Sequence, residues 1–433
     1  MADVRVHLTN LGCKLNQAEL EELARRFVAA GHRLVGALEE ADLHVVNSCT
    51  VTHVAARDSR KAARRGRRLN PRMRTVLTGC HVAAEPAAAA ALAGVDLVVA
   101  NEEKEQLVER VHEAFPEAAV LEVEGPAPVP YVPLEFGNSR ALVKIEDGCD
   151  MRCAFCIIPL TRGRQRSRPA GDLVRQVASL TAGGFSEIVV TGVQISSYRD
   201  NGTGLFELVS RLLDETEVPR LRLTSIAPWE FDHRLLELFA GGRLCRHFHL
   251  SLQSGCDATL RRMRRPYDGR RFAGLVEGIR AAVPGVALTT DVIVGFPGES
   301  AREFEESLEF CRGVGFARLH AFPFSARPGT AAASMPAQLP HEIKRRRMTA
   351  LLDLAQQSRR RFERRQIGSR AEALWEQRRH GRWQGTTDNY LRVVSPSGGH
   401  EMLPRHLQPV RITTAGKEGL VATPLAADLA AAV

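Results

Sequence analysis

No stretch of this sequence is apolar for long enough to span a membrane. The longest apolar run, Pro86 to Ala100, is mostly alanine and carries Asp96, and it falls short of the roughly 20 residues a bilayer helix needs. The N-terminus, Met-Ala-Asp-Val-Arg-Val-His-Leu, lacks an apolar core behind basic residues, so no secretion signal is expected. Cysteine is sparse and odd in number, nine in 433 residues. That argues against a disulfide framework and for a reducing, cytoplasmic setting, where clustered thiols bind metal or do chemistry. Acids are outnumbered: Asp plus Glu is 50 against Lys plus Arg 59, a net charge of +9. The balance points to an anionic partner, nucleic acid first, although a basic protein that merely stays soluble has the same composition. With 44% hydrophobic and 25% charged residues, disorder, collagen and coiled coil are excluded for the whole chain. The length suggests about three domains.

The basic residues cluster. Residues 57–74 hold nine Lys or Arg against Asp58 alone, and residues 341–370 hold ten against three acids. A third basic stretch runs from Arg162 to Arg168. One such run is ordinarily a solvated helix face; three favour a nucleic-acid surface.

The first hundred residues alternate strand and helix patterns. Strands are expected at Val4–Thr9, Leu43–Val46, Thr75–Thr78 and Val95–Val99. Helices are expected over Asn16–Ala30, His53–Leu69 and after Pro86, which implies a parallel sheet covered on both faces. Pro126, Pro128, Pro130 and Pro133 mark a linker. Six more strand candidates follow: Ala141–Glu146, Glu187–Thr191, Arg220–Ser225, His247–Leu252, Ala287–Val294 and Phe316–Phe322. Each pair leaves room for a helix, which fits an incomplete parallel β/α barrel. A basic helix, His341–Arg365, closes this region. The tail, with short alternating runs at Tyr390–Val394 and Pro409–Thr413, reads as a small β-barrel. The fold class is therefore α/β: a parallel-sheet N-terminal domain, an incomplete (β/α)6 barrel and a C-terminal β-barrel.

Cys149-Asp-Met-Arg-Cys153-Ala-Phe-Cys156 places three thiols directly after the first barrel strand, at the end where barrel active sites lie. Clustered thiolates suit an iron–sulfur cluster, whereas a structural zinc site wants four ligands, typically two spaced pairs. Thr191-Gly192-Val193-Gln194, Ser251-Leu252-Gln253-Ser254-Gly255 and Asp291 through Gly295 to Glu299 are polar or glycine positions at later strand ends. Taken in series they favour a ligand site. Cys13, Cys49 and Cys80 each follow a predicted N-terminal strand. Loops at one edge of a parallel sheet can converge, yet a lone cysteine is commonly a small buried hydrophobe; spacing leaves both open. Cys245, Cys256 and Cys311 sit at no matching offset and read as structural. His247 and His249 alternate on one strand and read as satisfied interior histidines.

The CxxxCxxC spacing after a strand, with Phe155 before the last cysteine, resembles the radical S-adenosylmethionine superfamily. With both cysteine sets, the whole chain resembles its methylthiotransferase family: a methylthiotransferase domain over 1–125, a radical domain over 135–366 and a TRAM-like RNA-binding barrel over 367–433. Asn47-Ser48-Cys49-Thr50-Val51-Thr52 and Leu252-Gln253-Ser254-Gly255-Cys256-Asp257 resemble the branch acting on threonylcarbamoyladenosine in tRNA. The isopentenyladenosine branch usually has Ser-Ile-Arg after the second cysteine, and another branch modifies a ribosomal-protein aspartate. The remote alternative is a zinc-stabilised RNA-binding protein without catalysis.

The resemblance implies two [4Fe–4S] clusters and two S-adenosylmethionine molecules per turnover. Cys149, Cys153 and Cys156 would hold the cluster that cleaves S-adenosylmethionine, and Cys13, Cys49 and Cys80 an auxiliary one that delivers the methylthio group to C2 of adenosine 37. Thr191, Gly192, Gln194, Ser251, Gln253, Asp291 and Gly295 would form the cofactor shell. The partners implied are the tRNA anticodon stem-loop and a flavodoxin- or ferredoxin-like electron donor. Arg345, Arg346, Arg347, Arg360 and Arg361 are the expected phosphate contacts. No residue is singled out for the threonylcarbamoyl group: Arg162, Arg164 and Arg166 near the active mouth could meet its carboxylate, as could many others. Trp375, Trp383 and Tyr390 could stack on bases, but aromatics in a small barrel more often form its core.

Overall fold

The computed structural model describes residues 4–116, 140–396, 406–416 and 419–425. The proline-rich linker lies outside them. Among the described residues no helix is long and apolar enough to cross a membrane.

The N-terminal unit is a five-stranded parallel sheet in the order β2-β1-β3-β4-β5, from β1 (Arg5–Asn10), β2 (Arg33–Leu34), β3 (Leu43–Ser48), β4 (Arg74–Gly79) and β5 (Leu97–Val98). Every residue of β3 is buried, as a strand covered on both faces requires. Helix α1 (Lys14–Ala29) follows β1, and α2 (His53–Leu69) follows β3. Thr52 caps α2 by accepting the Ala55 N–H at 3.1 Å.

The central unit contains β6 (Arg140–Lys144), β7 (Glu187–Thr191), β8 (Arg220–Leu223), β9 (His247–His249), β10 (Ala287–Val294) and β11 (Arg318–Pro323). They form two three-stranded parallel sheets, β8-β7-β6 and β9-β10-β11. Parallel bridges Leu221–Leu244 and Ile226–Leu250 join the two, leaving the barrel open between β6 and β11. The crossovers are α3 (Ala170–Ala182), α4 (Leu205–Asp214), α5 (Gly269–Ala282) and α6 (Ala301–Val314). Between β8 and β9 the expected helix is instead a 3₁₀ stretch, His233–Gly241, bounded by Pro228 and the Gly241-Gly242 pair. The last strand begins later than expected, at Arg318, with Phe316 fully buried ahead of it. Helix α7 (His341–Gln366) packs against β11 and α6.

Two neighbours complete the barrel. At the open side, α1 lays Ala18 on the interior residues Leu142 and Val189. Its Glu21 carboxylate accepts the Leu142 N–H at 3.0 Å, which satisfies a donor on the unpaired edge of β6. At the N-terminal ends of the strands sits the C-terminal unit, a closed barrel ordered β12-β13-β14-β16-β15. Its strands are β12 (Arg370–Arg379), β13 (Arg382–Thr387), β14 (Arg392–Val394), β15 (Leu407–Gly416) and β16 (Gly419–Pro424). Arg220 donates to the Glu372 and Thr386 carbonyls (3.2 and 3.0 Å), and Arg222 to those of Asp388 and Thr387 (2.9 and 3.0 Å). Both arginines also bind Glu187 at 2.6 Å. The ion pairs hold the Glu187 carboxyl well below its ordinary range although burial opposes this.

Candidate functional site

At the opposite rim the loop after β6 carries Cys149, Cys153 and Cys156. Backbone bonds fix it to the barrel: Cys149 N–H to the Gly163 carbonyl (3.1 Å), Ala154 N–H to Met263 (3.0 Å) and Ala332 N–H to the Ala154 carbonyl (2.8 Å). Gly148 enters the loop with φ +75°, and a Cβ there would lie 2.0 Å from the Arg164 carbonyl oxygen; only glycine makes this turn. Burial pushes the Cys156 thiol up to about 12 and raises that of Cys149. Such thiols lose their protons to a metal rather than to water.

Of the expected cofactor shell, Gln194 is brought to the cysteines, its Oε1 4.0 Å from Cys149 Sγ, while its Nε2 donates to Glu230 (2.6 Å). Gly192 leaves room for Glu146, whose carboxylate accepts the Gln194 N–H. Thr191 sits one strand end away, its hydroxyl 3.3 Å from that of Thr224. The Ser251 carbonyl accepts from Arg265 (3.0 Å) and Tyr267 (2.8 Å), and Gln253 takes a left-handed φ of +69°. Gly295 donates its N–H to Glu299 (2.6 Å). Asp291 is already engaged, with His249 Nε2 at 3.3 Å and His320 Nδ1 at 3.2 Å. Sequence reading missed Arg265, which donates to Cys153 Sγ at 3.2 Å and lies over the Trp229 ring at 4.4 Å. Nothing in the run Arg261-Arg262-Met263-Arg264-Arg265 distinguishes it. His247 is buried at the barrel floor, where His247 Nε2 and His249 Nδ1 both lie 3.0 Å from Thr289 Oγ1. Cys245, Cys256 and Cys311 are buried, and Cys256 Sγ is 3.0 Å from a Glu306 oxygen.

The N-terminal sheet gathers Cys13, Cys49 and Cys80 at one edge, because each follows the C-terminal end of a parallel strand: β1, β3 and β4. A Cβ on Gly12 would stand 2.7 Å from Cys49 Sγ. Gly79 (φ +101°) passes so close to the neighbouring strand that a Cβ would lie 2.4 Å from the Ser48 carbonyl oxygen. Burial pushes the Cys49 thiol up to about 11.

The residues present fit a multi-iron group better than a single ion. Among the described residues, the group of three potential ligand atoms within 4.8 Å of one another is His249, Asp291 and His320, not either cysteine set. A tetrahedral zinc would need sulfurs about 3.8 Å apart. Beside Cys80, both ring nitrogens of His81 are buried without a hydrogen-bond partner, as is Arg327 Nε. Arg327 otherwise donates to Thr50 Oγ1 (2.6 Å) and faces Glu85 (3.6 Å). The orphaned imidazole N–H and the Arg327 Nε–H suit an acceptor-rich occupant.

Between the cysteine sets lies a buried ionic network, where the structure corrects one expectation. Arg162 does not face a substrate carboxylate. Its side chain is 1% exposed and donates to Glu19 (2.8 Å), Asp147 (2.9 Å) and Asn16 (2.6 Å). Arg164 and Arg166 remain exposed, Arg164 near Asp150 at 3.3 Å. A cavity of about 490 Å³ opens beside the network, lined by Glu19, Lys104, Lys144, Asp147 and Arg168 among others, but by none of the six cysteines. It lies off the cluster sites.

The basic surfaces also sort themselves. On α2, Arg57, Lys61, Arg64, Arg65, Arg67 and Arg68 are exposed, while Ala56, Ser59, Ala63 and Gly66 face the sheet. On α7, Arg345, Arg346, Arg360 and Arg361 are exposed. Arg347 is a second correction: it is buried and bonds the Glu299 carboxylate at 2.5 Å, so it is closed to phosphate. Two of the three aromatics follow the expectation that such residues form the core of a small barrel. Trp375 is fully buried, its Nε1–H bonding Gln408 at 2.8 Å, and Trp383 packs on the same core. Tyr390 plugs the floor of the central barrel, 4.6 Å from the His247 ring and under Arg222.

Comparison with known proteins agrees with this geometry. Residues 143–311 match the radical SAM superfamily, and residues 5–100 match uncharacterized protein family UPF0004. The threonylcarbamoyladenosine tRNA methylthiotransferase MtaB of Aquifex aeolicus is 36% identical over 386 residues, covering 86% of this chain and 92% of the relative. That of Bacillus subtilis is 34% identical over 433 residues, covering 96% and 95%. The tRNA-2-methylthio-N(6)-dimethylallyladenosine synthase of Geobacillus kaustophilus is 34% identical, covering 82% and 69%. In fold, the chain resembles the radical S-adenosylmethionine methyltransferase TsrM of Kitasatospora setae, with a TM-score of 0.58 at 15% identity, covering 76% of this chain and 75% of that one. The chain belongs to the radical S-adenosylmethionine methylthiotransferase family.

Proposed function

We propose that this enzyme replaces the C2 hydrogen of N6-threonylcarbamoyladenosine at tRNA position 37 by a methylthio group. The observation that carries the reading is the pairing of two cysteine trios at the strand ends of two parallel sheets that α1 and the Arg162 network bind together. Cys149, Cys153 and Cys156 would hold one [4Fe–4S] cluster and Cys13, Cys49 and Cys80 a second. Bound there, the clusters would supply the electron that splits S-adenosylmethionine and the site from which the methylthio group is delivered; an unactivated aromatic C–H is beyond side-chain bases. Within the chain, Arg265 would orient Cys153, and Gln194, Ser251 and Gln253 would hold the cofactor, with Thr191, Gly192, Asp291 and Gly295 shaping its walls.

The anticodon stem-loop would lie across the exposed cations of α2 and α7. Phosphate contacts there give affinity, and the pocket gives specificity for an unpaired base. An external low-potential electron donor is required.

The first experiment is nucleoside mass spectrometry of total tRNA from cells with and without the gene. Selective loss of methylthio-threonylcarbamoyladenosine, with its parent accumulating, is the expected result. Loss of methylthio-isopentenyladenosine instead would favour the second reading, to which the similarity with the dimethylallyladenosine synthase gives weight. No change in either nucleoside, where both are normally present, would overturn the tRNA reading.

A further inference from the structure

We propose that Arg162 is a positioning residue for the auxiliary cysteine set: it braces the three cysteine-bearing loops from the other domain and supplies the buried positive charge that balances their cluster. The proposal rests on the two-cluster reading above.

Each loop stands on this network. Asn16 Oδ1 accepts from Arg162 at 2.6 Å and lies 4.0 Å from Cys13 Sγ. Asn16 Nδ2 donates to the carbonyls of Leu11 (2.7 Å) and Ser48 (3.0 Å), just ahead of Cys13 and Cys49. Asn47 donates to the Asn16 carbonyl (2.8 Å) and accepts from Lys104 (3.2 Å). A Cβ on Gly79, the residue before Cys80, would meet that same Asn47 oxygen at 2.7 Å. On the radical side, Asp147, two residues before Cys149, binds Arg162 (2.9 Å) and Lys144 (3.3 Å).

Charge gives the network its second role. Glu19 receives Arg162 (2.8 Å), Lys104 (2.7 Å) and Lys144 (3.2 Å). Three cations thus make direct contact with two carboxylates, Glu19 and Asp147, a surplus of one positive charge among the paired groups; burial pushes the neighbouring Glu146 carboxyl up to about 7, toward its neutral form. Buried charge without a counter-ion is unfavourable. Arg162 lies within electrostatic reach of Cys13, Cys49 and Cys80, and Lys104 of Cys80. A doubly positive four-iron core on three thiolates carries one net negative charge, so the surplus and the cluster match. Cations there favour the reduced, more negative state of the cluster.

The test uses the full-length chain with Cys149, Cys153 and Cys156 replaced by alanine, reconstituted anaerobically, so that only auxiliary iron remains. Redox titration is followed by electron paramagnetic resonance. Arg162→Gln should lower the midpoint potential, cutting the reduced-to-oxidised ratio at fixed potential about tenfold, or about 59 mV. Glu19→Gln should shift it the other way, Arg162→Lys should restore most of the change, and the Glu19→Gln/Arg162→Gln pair should return near the start. A merely structural clip would not give shifts of opposite sign. If Arg162→Gln does not hold iron, Glu19→Gln and Arg162→Lys still decide the matter. Unmoved potentials, or shifts in one direction only, overturn the proposal alone. Absence of iron from the cysteine-replaced background overturns the two-cluster reading and this proposal with it.

Discussion

The two cysteine sites are built in opposite ways. The radical-site thiols fall within eight residues of one loop, Cys149 to Cys156, fixed by backbone bonds to the barrel rim. The N-terminal thiols come from three loops, and only the register of a parallel sheet brings them to one edge. One site is a property of a segment, the other of a topology. A local defect should therefore disable the first site while the N-terminal sheet persists. The second should fail whenever any one of three strand ends is disturbed, or when the inter-domain network beneath it is.

The largest expected effects separate the two sites outright. Cys153→Ala should abolish cleavage of S-adenosylmethionine, with the fold retained by circular dichroism. Continued production of 5′-deoxyadenosine by that variant would break the assignment. Replacing Cys13, Cys49 and Cys80 together by alanine should instead leave that cleavage in place, lower iron from about eight to about four per chain, and abolish methylthio transfer. Iron at the wild-type level would show that these thiols hold no cluster.

Glycine substitutions sharpen the contrast without touching a ligand. Gly79→Ala puts a Cβ against the Ser48 carbonyl in a left-handed conformation. It should empty the N-terminal site and spare S-adenosylmethionine cleavage. Gly148→Ala forces the loop off the Arg164 carbonyl and should do the reverse. Iron analysis and the 5′-deoxyadenosine assay on both variants are the check, and equal loss from both sites in either variant would contradict the division.

The same distinction explains what could be read from the sequence. The CxxxCxxC loop, the strand Ala287–Val294 and the long basic helix are legible because each signal is local: spacing, a run of β-branched residues, and a 3.6-residue period. The convergence of Cys13, Cys49 and Cys80 is half legible, since strand ends of a parallel sheet share an edge but spacing alone does not distinguish a site from three buried hydrophobes. Arg162 was not legible at all: its partner Glu19 is 143 residues away, and in sequence it looks like its exposed neighbours Arg164 and Arg166. Tyr390 was missed for a related reason, as its place at the barrel floor depends on how two domains dock. Arg347 carried a usable signal. It falls on the stripe with Leu351, Leu354 and Ser358, which is the buried face of α7.

That helix yields the last and smallest pair of effects, in which arginines of one basic helix behave differently according to the face they lie on. Arg347→Met leaves the buried Glu299 without its cationic partner, with only the Gly295 N–H still on its carboxylate, and should destabilise the fold by about 3 kcal/mol. Burial already pushes the Glu299 carboxyl up, so protonation on acidification should recover part of that loss, and thermal melts at two pH values would reveal it. Arg360→Gln with Arg361→Gln removes two exposed cations and should leave the melting temperature unchanged. It should weaken tRNA binding several-fold and reduce the slope of log affinity against log salt by about one to two. An unchanged slope would return that end of the helix to an ordinary solvated face and leave the cations of α2, which begins four residues after Cys49, as the surface that holds the RNA.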